Sequence, residues 1–183
     1  MICWRVAAID LAAGDRERGG MLWFPRILQG EGRHDNPDLY GCLYVAAEPI
    51  GAVAESLAPF RGSGRLDPSM LLRGGRPLYL GRLDLTEEAG ILDLDDPGIL
   101  SREGLRPSRV ATRLRPTTQR QAARLYQAHP EIVALRWWST IESMLANLTV
   151  FDRGAPMLEL EERRQLSLDD PEVSSAAELL GLL

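Results

Sequence analysis

Four residues of this 183-residue chain stand out by type and setting. Arg33 lies in a polar, Gly-containing loop, Gly30-Glu31-Gly32-Arg33-His34-Asp35-Asn36-Pro37. Tyr44 sits in the apolar run Cys42 to Ala46, Glu55 in the otherwise apolar stretch Pro49 to Ala58, and Ser139 directly after the run Ile132 to Trp138. A guanidinium is a planar fork for anionic oxygens. A tyrosine ring stacks on flat ligands, and a carboxylate stabilises a neighbouring positive charge. Each residue also has a plain reading. Glu55 reads as a solvated helix position, Arg33 as a surface charge and Tyr44 as core. Ser139 with Glu142 spells the capping box S-x-x-E.

The elements that must hold these residues follow from periodicity and punctuation. Ile2 to Ile9 is a candidate strand, with a turn over 15–20 and an apolar stretch over 21–28 broken by Pro25. Cys42 to Ala46 reads as a short buried strand. Pro49 to Ala58 reads as a helix with Pro in its first turn and an Ile50, Val53, Ala54, Leu57 stripe. Glu55 falls beside that stripe, where a carboxylate can face a cleft. Arg61 to Gly75 reads as loop. Leu78 to Leu85, Ile91 to Leu94, Ile132 to Trp138, Thr149 to Phe151 and Met157 to Leu160 read as strands. Thr117 to His129 reads as a helix, as does the end of the chain from Pro171, with Asp170 as its N-cap. Of Trp137 and Trp138, one is expected in the core. Strands and helices mix without strict alternation, so an α+β single domain spanning 1–183 is expected.

Composition narrows the classes. The formal net charge is −5, and every one of the 21 cationic side chains is Arg. That balance argues against a broad basic face for nucleic acid but leaves room for a small Arg-lined anion pocket. The stretch Arg102 to Arg115 reads as a solvated face or a partner face. Two cysteines, Cys3 and Cys42, are too few for a disulfide framework and read as small buried residues. His34 and His129 lack metal-ligand spacing, so no metal is expected. The chain lacks a signal-peptide pattern and a long apolar run, so cytoplasmic residence away from membranes is expected. Without Lys there is no Walker phosphate loop, and neither a dinucleotide-binding glycine pattern nor a hydrolase elbow is present.

Read in order, the pieces resemble the RES domain family, named for its Arg, Glu and Ser. They are the Arg33 loop through Pro37, Tyr44 followed ten residues apart by helical Glu55, Thr118-Gln119 at a helix start, a strand ending in Ser139, and Asn147-Leu148-Thr149-Val150-Phe151. The resemblance runs from about Arg5 to Phe151. The chain departs from it in the loop, where His34-Asp35-Asn36 replaces an aromatic followed by Asn and adds one residue. The C-terminal helix, about 171–181, has no counterpart in the pattern.

This resemblance implies an ADP-ribosyltransferase-like core and breakdown of NAD+ at the nicotinamide–ribose bond. Inorganic phosphate or water would be the acceptor. It implies a toxin restrained by an Xre-type helix-turn-helix antitoxin that covers the active site. By the same resemblance Glu55 stabilises the oxocarbenium-like transition state, Arg33 binds the pyrophosphate, Tyr44 stacks on nicotinamide or positions its ribose, and Ser139 hydrogen-bonds a ribose or phosphate oxygen. Arg5 reaches the pocket by family analogy alone. Two other readings stay open: an ADP-ribosyltransferase with a protein target, and a nucleotide-binding regulator without turnover. A hydrolase using Ser139 with His34 or His129 is disfavoured, because neither His has an Asp at a recognisable spacing.

Overall fold

The computed structural model of the chain describes residues 1–86 and 90–183. Among the described residues eight strands form one sheet: β1 (Ile2–Ala8), β2 (Cys42–Ala46), β3 (Leu72–Arg73), β4 (Arg76–Leu85), β5 (Gly90–Asp93), β6 (Ile132–Trp138), β7 (Ala146–Phe151) and β8 (Leu158–Gln165). Their order is β3-β4-β1-β2-β7-β6-β5, with β8 on the same edge of β4 as β3. Every pairing is antiparallel except β5 with β6. The helices are α1 (Pro49–Leu57), α2 (Pro97–Arg102), α3 (Pro107–Val110), α4 (Arg115–Ala128) and α5 (Pro171–Leu180). This is the expected α+β architecture.

Side chains alternate across the sheet, as a two-residue period requires. Leu43, Val45, Leu148, Val150 and Ala134 point to one face, where Met21, Leu22 and Leu158 close a core. On the other face the apolar material divides in two. Ala46, Leu78 and Leu80 meet α1 and α5 through Val53, Leu57, Val173 and Ala177. Cys42, Leu135, Trp137 and Phe151 meet α4 through Ala122 and Leu125. Between these two clusters the sheet face is left open.

Most elements fall where periodicity puts them, and the differences have physical causes. Helix α4 starts at Arg115, because Pro116 is tolerated in a first turn that needs no donor there. The Arg102 to Arg115 stretch is not a plain solvated face. It contains α3 and buries Val110. The span Arg61 to Gly75 is not all loop. Asp67 accepts from the Ser69 amide to start a 3-10 turn over Pro68–Leu71 that buries Met70 and Leu71. A two-residue hairpin joins β3 to β4 through Gly74 and Gly75, whose φ values of 56° and 77° suit a type I′ turn that glycine adopts without strain. Strand β8 runs to Gln165, beyond the apolar signal, because its outer half is an exposed, charged edge. Ser139 and Glu142 cap no helix; the chain there turns directly into β7. Asp170 holds the N-cap position, yet its carboxylate accepts from the Ser167 amide and pairs with Arg164 at 2.5 Å. Cys3 and Cys42 are buried and unlinked.

Gly154 sits against β6, where an added Cβ would lie 2.7 Å from Val133 Cβ. Neither group can retreat from a packed core. Gly154→Ala is therefore expected to lower stability by about 1–3 kcal/mol, read as an earlier urea midpoint at unchanged slope. An unchanged midpoint would show that the β6 contact relaxes freely.

Candidate active site

Strands β1 and β2 register at a single pair, Trp4 with Ala46. Beyond it the two strands part, and a cleft of about 330 Å³ opens in the gap. Trp4, Arg5 and Val6 line it from β1, and Tyr44, Val45 and Ala46 from β2. Glu55 of α1, Arg33 of the loop, Arg115 of α4, Trp137 of β6 and Asn147 of β7 complete the walls.

The carboxylate of Glu55 is anchored at one oxygen. Ser139 Oγ and Asn147 Nδ2 both donate to Oε1, each at 2.7 Å. Ser139 Oγ in turn accepts from the Ile141 amide at 3.0 Å. Among the described residues no donor reaches Oε2, so that oxygen remains available to the cleft. Helix α1 turns Glu55 away from its buried Val53, Ala54 and Leu57 and onto the side of Ala52, which also lines the cleft. Ser139 is only 3% exposed and does not line the cleft. It stands behind Glu55.

Arg33 is held from the other side. Its Nη1 donates to the carbonyls of Val110 at 2.8 Å and Thr112 at 2.9 Å. Its guanidinium carbon lies 4.6 Å from the centre of the Trp137 ring, a cation–π distance. Burial, reinforced by nearby Arg115, draws its pKa down to about 10. Burial does the same for Arg5, also to about 10, and an Nη1 of Arg5 donates to the Met21 carbonyl. Both stay cationic at neutral pH. Among the described residues neither they nor Arg115 form an ion pair, and all three line the cleft that holds the Glu55 carboxylate.

The loop carrying Arg33 is tied down along its length. Thr118 Oγ1 donates to the Arg33 carbonyl at 2.5 Å, and Gln119 Nε2 donates to the carbonyls of Gly30 and Gly32, each at 2.9 Å. Asn36 Nδ2 returns to the Gln119 carbonyl at 3.0 Å. The Thr-Gln pair at the start of α4 thus clamps the loop. Asp35 organises its interior. Its Oδ2 accepts from the amides of Gly30 at 2.8 Å and Gly32 at 2.7 Å, and its Oδ1 from the Tyr44 hydroxyl at 2.7 Å. Burial pushes this carboxyl up, but the hydrogen bonds from Tyr44, Gly30, Gly32 and Cys42 together outweigh it and hold it below its usual value. Burial and the neighbouring Cys42 and Asp35 push the Tyr44 phenol well above its own.

Of the four residues singled out from sequence, Arg33, Tyr44 and Glu55 line one cleft, and Ser139 supports Glu55 from behind. Sequence reasoning missed Asp35, Asn147 and Arg115 as members of the site. Asn147 was visible inside the Asn-x-x-x-Phe motif. Asp35 and Arg115 carried no signal of their own, because both depend on where a loop folds. No group of three or more His, Cys, Asp or Glu able to hold a metal occurs among the described residues. No described helix is long and apolar enough to cross a membrane.

Together the fold and cleft define an α+β protein with a small, arginine-ringed pocket centred on one anchored carboxylate. The RES domain matches residues 2–172, and the chain belongs to that family. Among solved structures it is similar to a chain in the crystal structure of the M. tuberculosis MbcT–MbcA toxin–antitoxin complex. That likeness has a TM-score of 0.64 and 18% identity over 97% of this chain and 87% of the other. No curated protein matches it significantly.

His34 gives the site a pH signature. Its Nδ1 lies 2.8 Å from Thr149 Oγ1, which also accepts from Trp137 Nε1 at 3.0 Å. Burial first, then Arg33 and Arg115, lower its pKa from 6.5 to about 3. The folded protein therefore keeps His34 neutral while the unfolded chain protonates it. The stability is fully present above about pH 6.5 and is lost as pH falls toward about 3, by about 2 kcal/mol already at pH 5. Urea unfolding at pH 7.5 and pH 5 should show that difference in the wild type and a smaller one in His34→Asn. An equal pH slope in both proteins would assign it to other groups.

Proposed function

We propose that this chain cleaves the nicotinamide–ribose bond of NAD+ and serves as the toxin of a toxin–antitoxin pair. The observation that carries the reading is the anchored Glu55 carboxylate, one oxygen held by Ser139 and Asn147 and the other open to an arginine-ringed cleft. Membership of the RES family and likeness to a chain of a toxin–antitoxin complex support it.

The chemistry follows from the charges. As the glycosidic bond breaks, its electron pair leaves with the nicotinamide nitrogen and positive charge develops on the ribose carbon. A preoriented carboxylate stabilises that charge without reorganising. Glu55 supplies it, and its hydrogen bonds to Ser139 and Asn147 keep it in place. Arg33, with Arg115, neutralises the pyrophosphate. One face of Trp137 is already covered by Arg33, which leaves Trp4 and Tyr44 as the aromatic walls for the nicotinamide ring. A volume of about 330 Å³ lies at the small end for ligand pockets. It suits the nicotinamide half of the dinucleotide, with the adenosine half toward the mouth. Addition of water then gives ADP-ribose and a proton; addition of inorganic phosphate gives ADP-ribose-1''-phosphate. An Xre-type helix-turn-helix antitoxin that covers the cleft would block both.

NAD+ loss by the purified protein, with and without phosphate, tests the reading. Glu55→Gln should lower kcat on the order of a hundredfold or more and change KM far less. Loss that requires phosphate identifies a phosphorylase, and loss indifferent to it a glycohydrolase. A folded, partner-free wild type that consumes no NAD+ in either buffer would sink the reading.

A further inference from the structure

Tyr44 lines the cleft and Asp35 lies buried beside it, with their polar atoms turned toward each other. The Tyr44 hydroxyl spends its single proton on Asp35 Oδ1 at 2.7 Å and accepts the His34 amide at 2.9 Å. Both bonds run into the Arg33 loop. The other carboxylate oxygen of Asp35 gathers the Gly30 and Gly32 amides. At Gly32 the packing is so close that an added Cβ would lie 2.4 Å from Asp35 Oδ1 and 2.5 Å from the Tyr44 hydroxyl oxygen. The carboxylate thus sits at the centre of a tight ring of backbone amides and one phenol, and Arg33 is the next residue along that ring. Asp35 itself is only 6% exposed and does not line the cleft.

We propose that Asp35 is a positioning residue: by accepting at once from Gly30, Gly32 and Tyr44, it winds the loop that aims Arg33 into the cleft and commits the Tyr44 hydroxyl to that loop. Tyr44 then meets a ligand with its ring alone. The inference rests on reading the cleft as the NAD+ site, and it assigns to Tyr44 a different part from hydroxyl chemistry on the ribose. It also gives the altered, lengthened segment after Arg33 a task. Within it the Asp35 carboxylate gathers the Gly30 and Gly32 amides, and the Tyr44 hydroxyl gathers that of His34.

The test is a double-mutant cycle of wild type, Asp35→Asn, Tyr44→Phe and the double variant, because partners in one interaction are non-additive. Three quantities are read for each protein: kcat and KM for NAD+, the dissociation constant of inorganic pyrophosphate, and Tm. Pyrophosphate needs only aimed arginines and no glycosidic chemistry. Each single variant should raise KM and the pyrophosphate dissociation constant by about tenfold, as loss of a charged hydrogen bond does. Losses in kcat should be smaller, and the double variant should be no worse than the weaker single. If Tyr44→Phe instead lowers kcat chiefly, and its effect multiplies with that of Asp35→Asn, the hydroxyl acts on substrate and the proposal is overturned. It is also overturned if the variants lose only Tm, or if wild type fails to bind pyrophosphate. A wild type that binds pyrophosphate with the expected coupling but leaves NAD+ intact would fail the functional reading alone.

Discussion

The register between β2 and β7 sets Ala46 opposite Asn147 and Tyr44 opposite Thr149. Two networks hang from those adjacent rungs. At the first, Asn147 reaches Glu55. At the second, Thr149 reaches His34 and Trp137 while Tyr44 reaches Asp35. A slip of one residue would send all four side chains to the opposite face, into the core that holds Leu43, Val45, Leu148 and Val150. That apolar core is what forbids the slip. Burial on one face of the sheet therefore determines the polar geometry on the other.

The cleft exists because the same face is covered unevenly. Helices α1 and α5 pack over one end and α4 over the other. They border but do not cover the place where β1 and β2 part after their single registered pair. A continuous apolar cover would have left no room for a ligand. The gap also brings strand backbone within reach of a pocket, which is how Arg5 enters a site formed mainly by residues on the other face.

Electrostatically the site is unbalanced. Three arginines line it with a single exposed carboxylate, in a chain whose overall charge is negative. Burial works against these cations, as the lowered pKa of Arg5 and Arg33 records. Carbonyls of Val110, Thr112 and Met21 compensate without neutralising them. Carbonyl partners leave the positive charge intact for an anionic ligand, whereas a carboxylate partner would have cancelled it. Burial, with Arg33 and Arg115 adding to it, holds His34 neutral.

Much of this protein can be read from residue order. The apolar runs Cys42 to Ala46 and Ile132 to Trp138 mark two strands to the residue, and the Ile50 to Leu57 stripe marks the helix that carries Glu55. Arg33, Tyr44, Glu55 and Ser139 were identifiable as a set through the resemblance to the RES domain. Local pattern reaches that far because period and punctuation are properties of neighbours along the chain. It did not reach the outer half of β8, which is charged, or the short helices around Pro97 and Pro107, which complete too few turns to show a period. It did not assign Ser139 to the Glu55 carboxylate 84 residues away, or Asp35 to the Tyr44 hydroxyl. Those partnerships depend on strand register and on which loop the start of α4 clamps. Both are settled only when distant segments are buried together, so the tertiary structure alone decided which polar atoms face the cleft and which face each other.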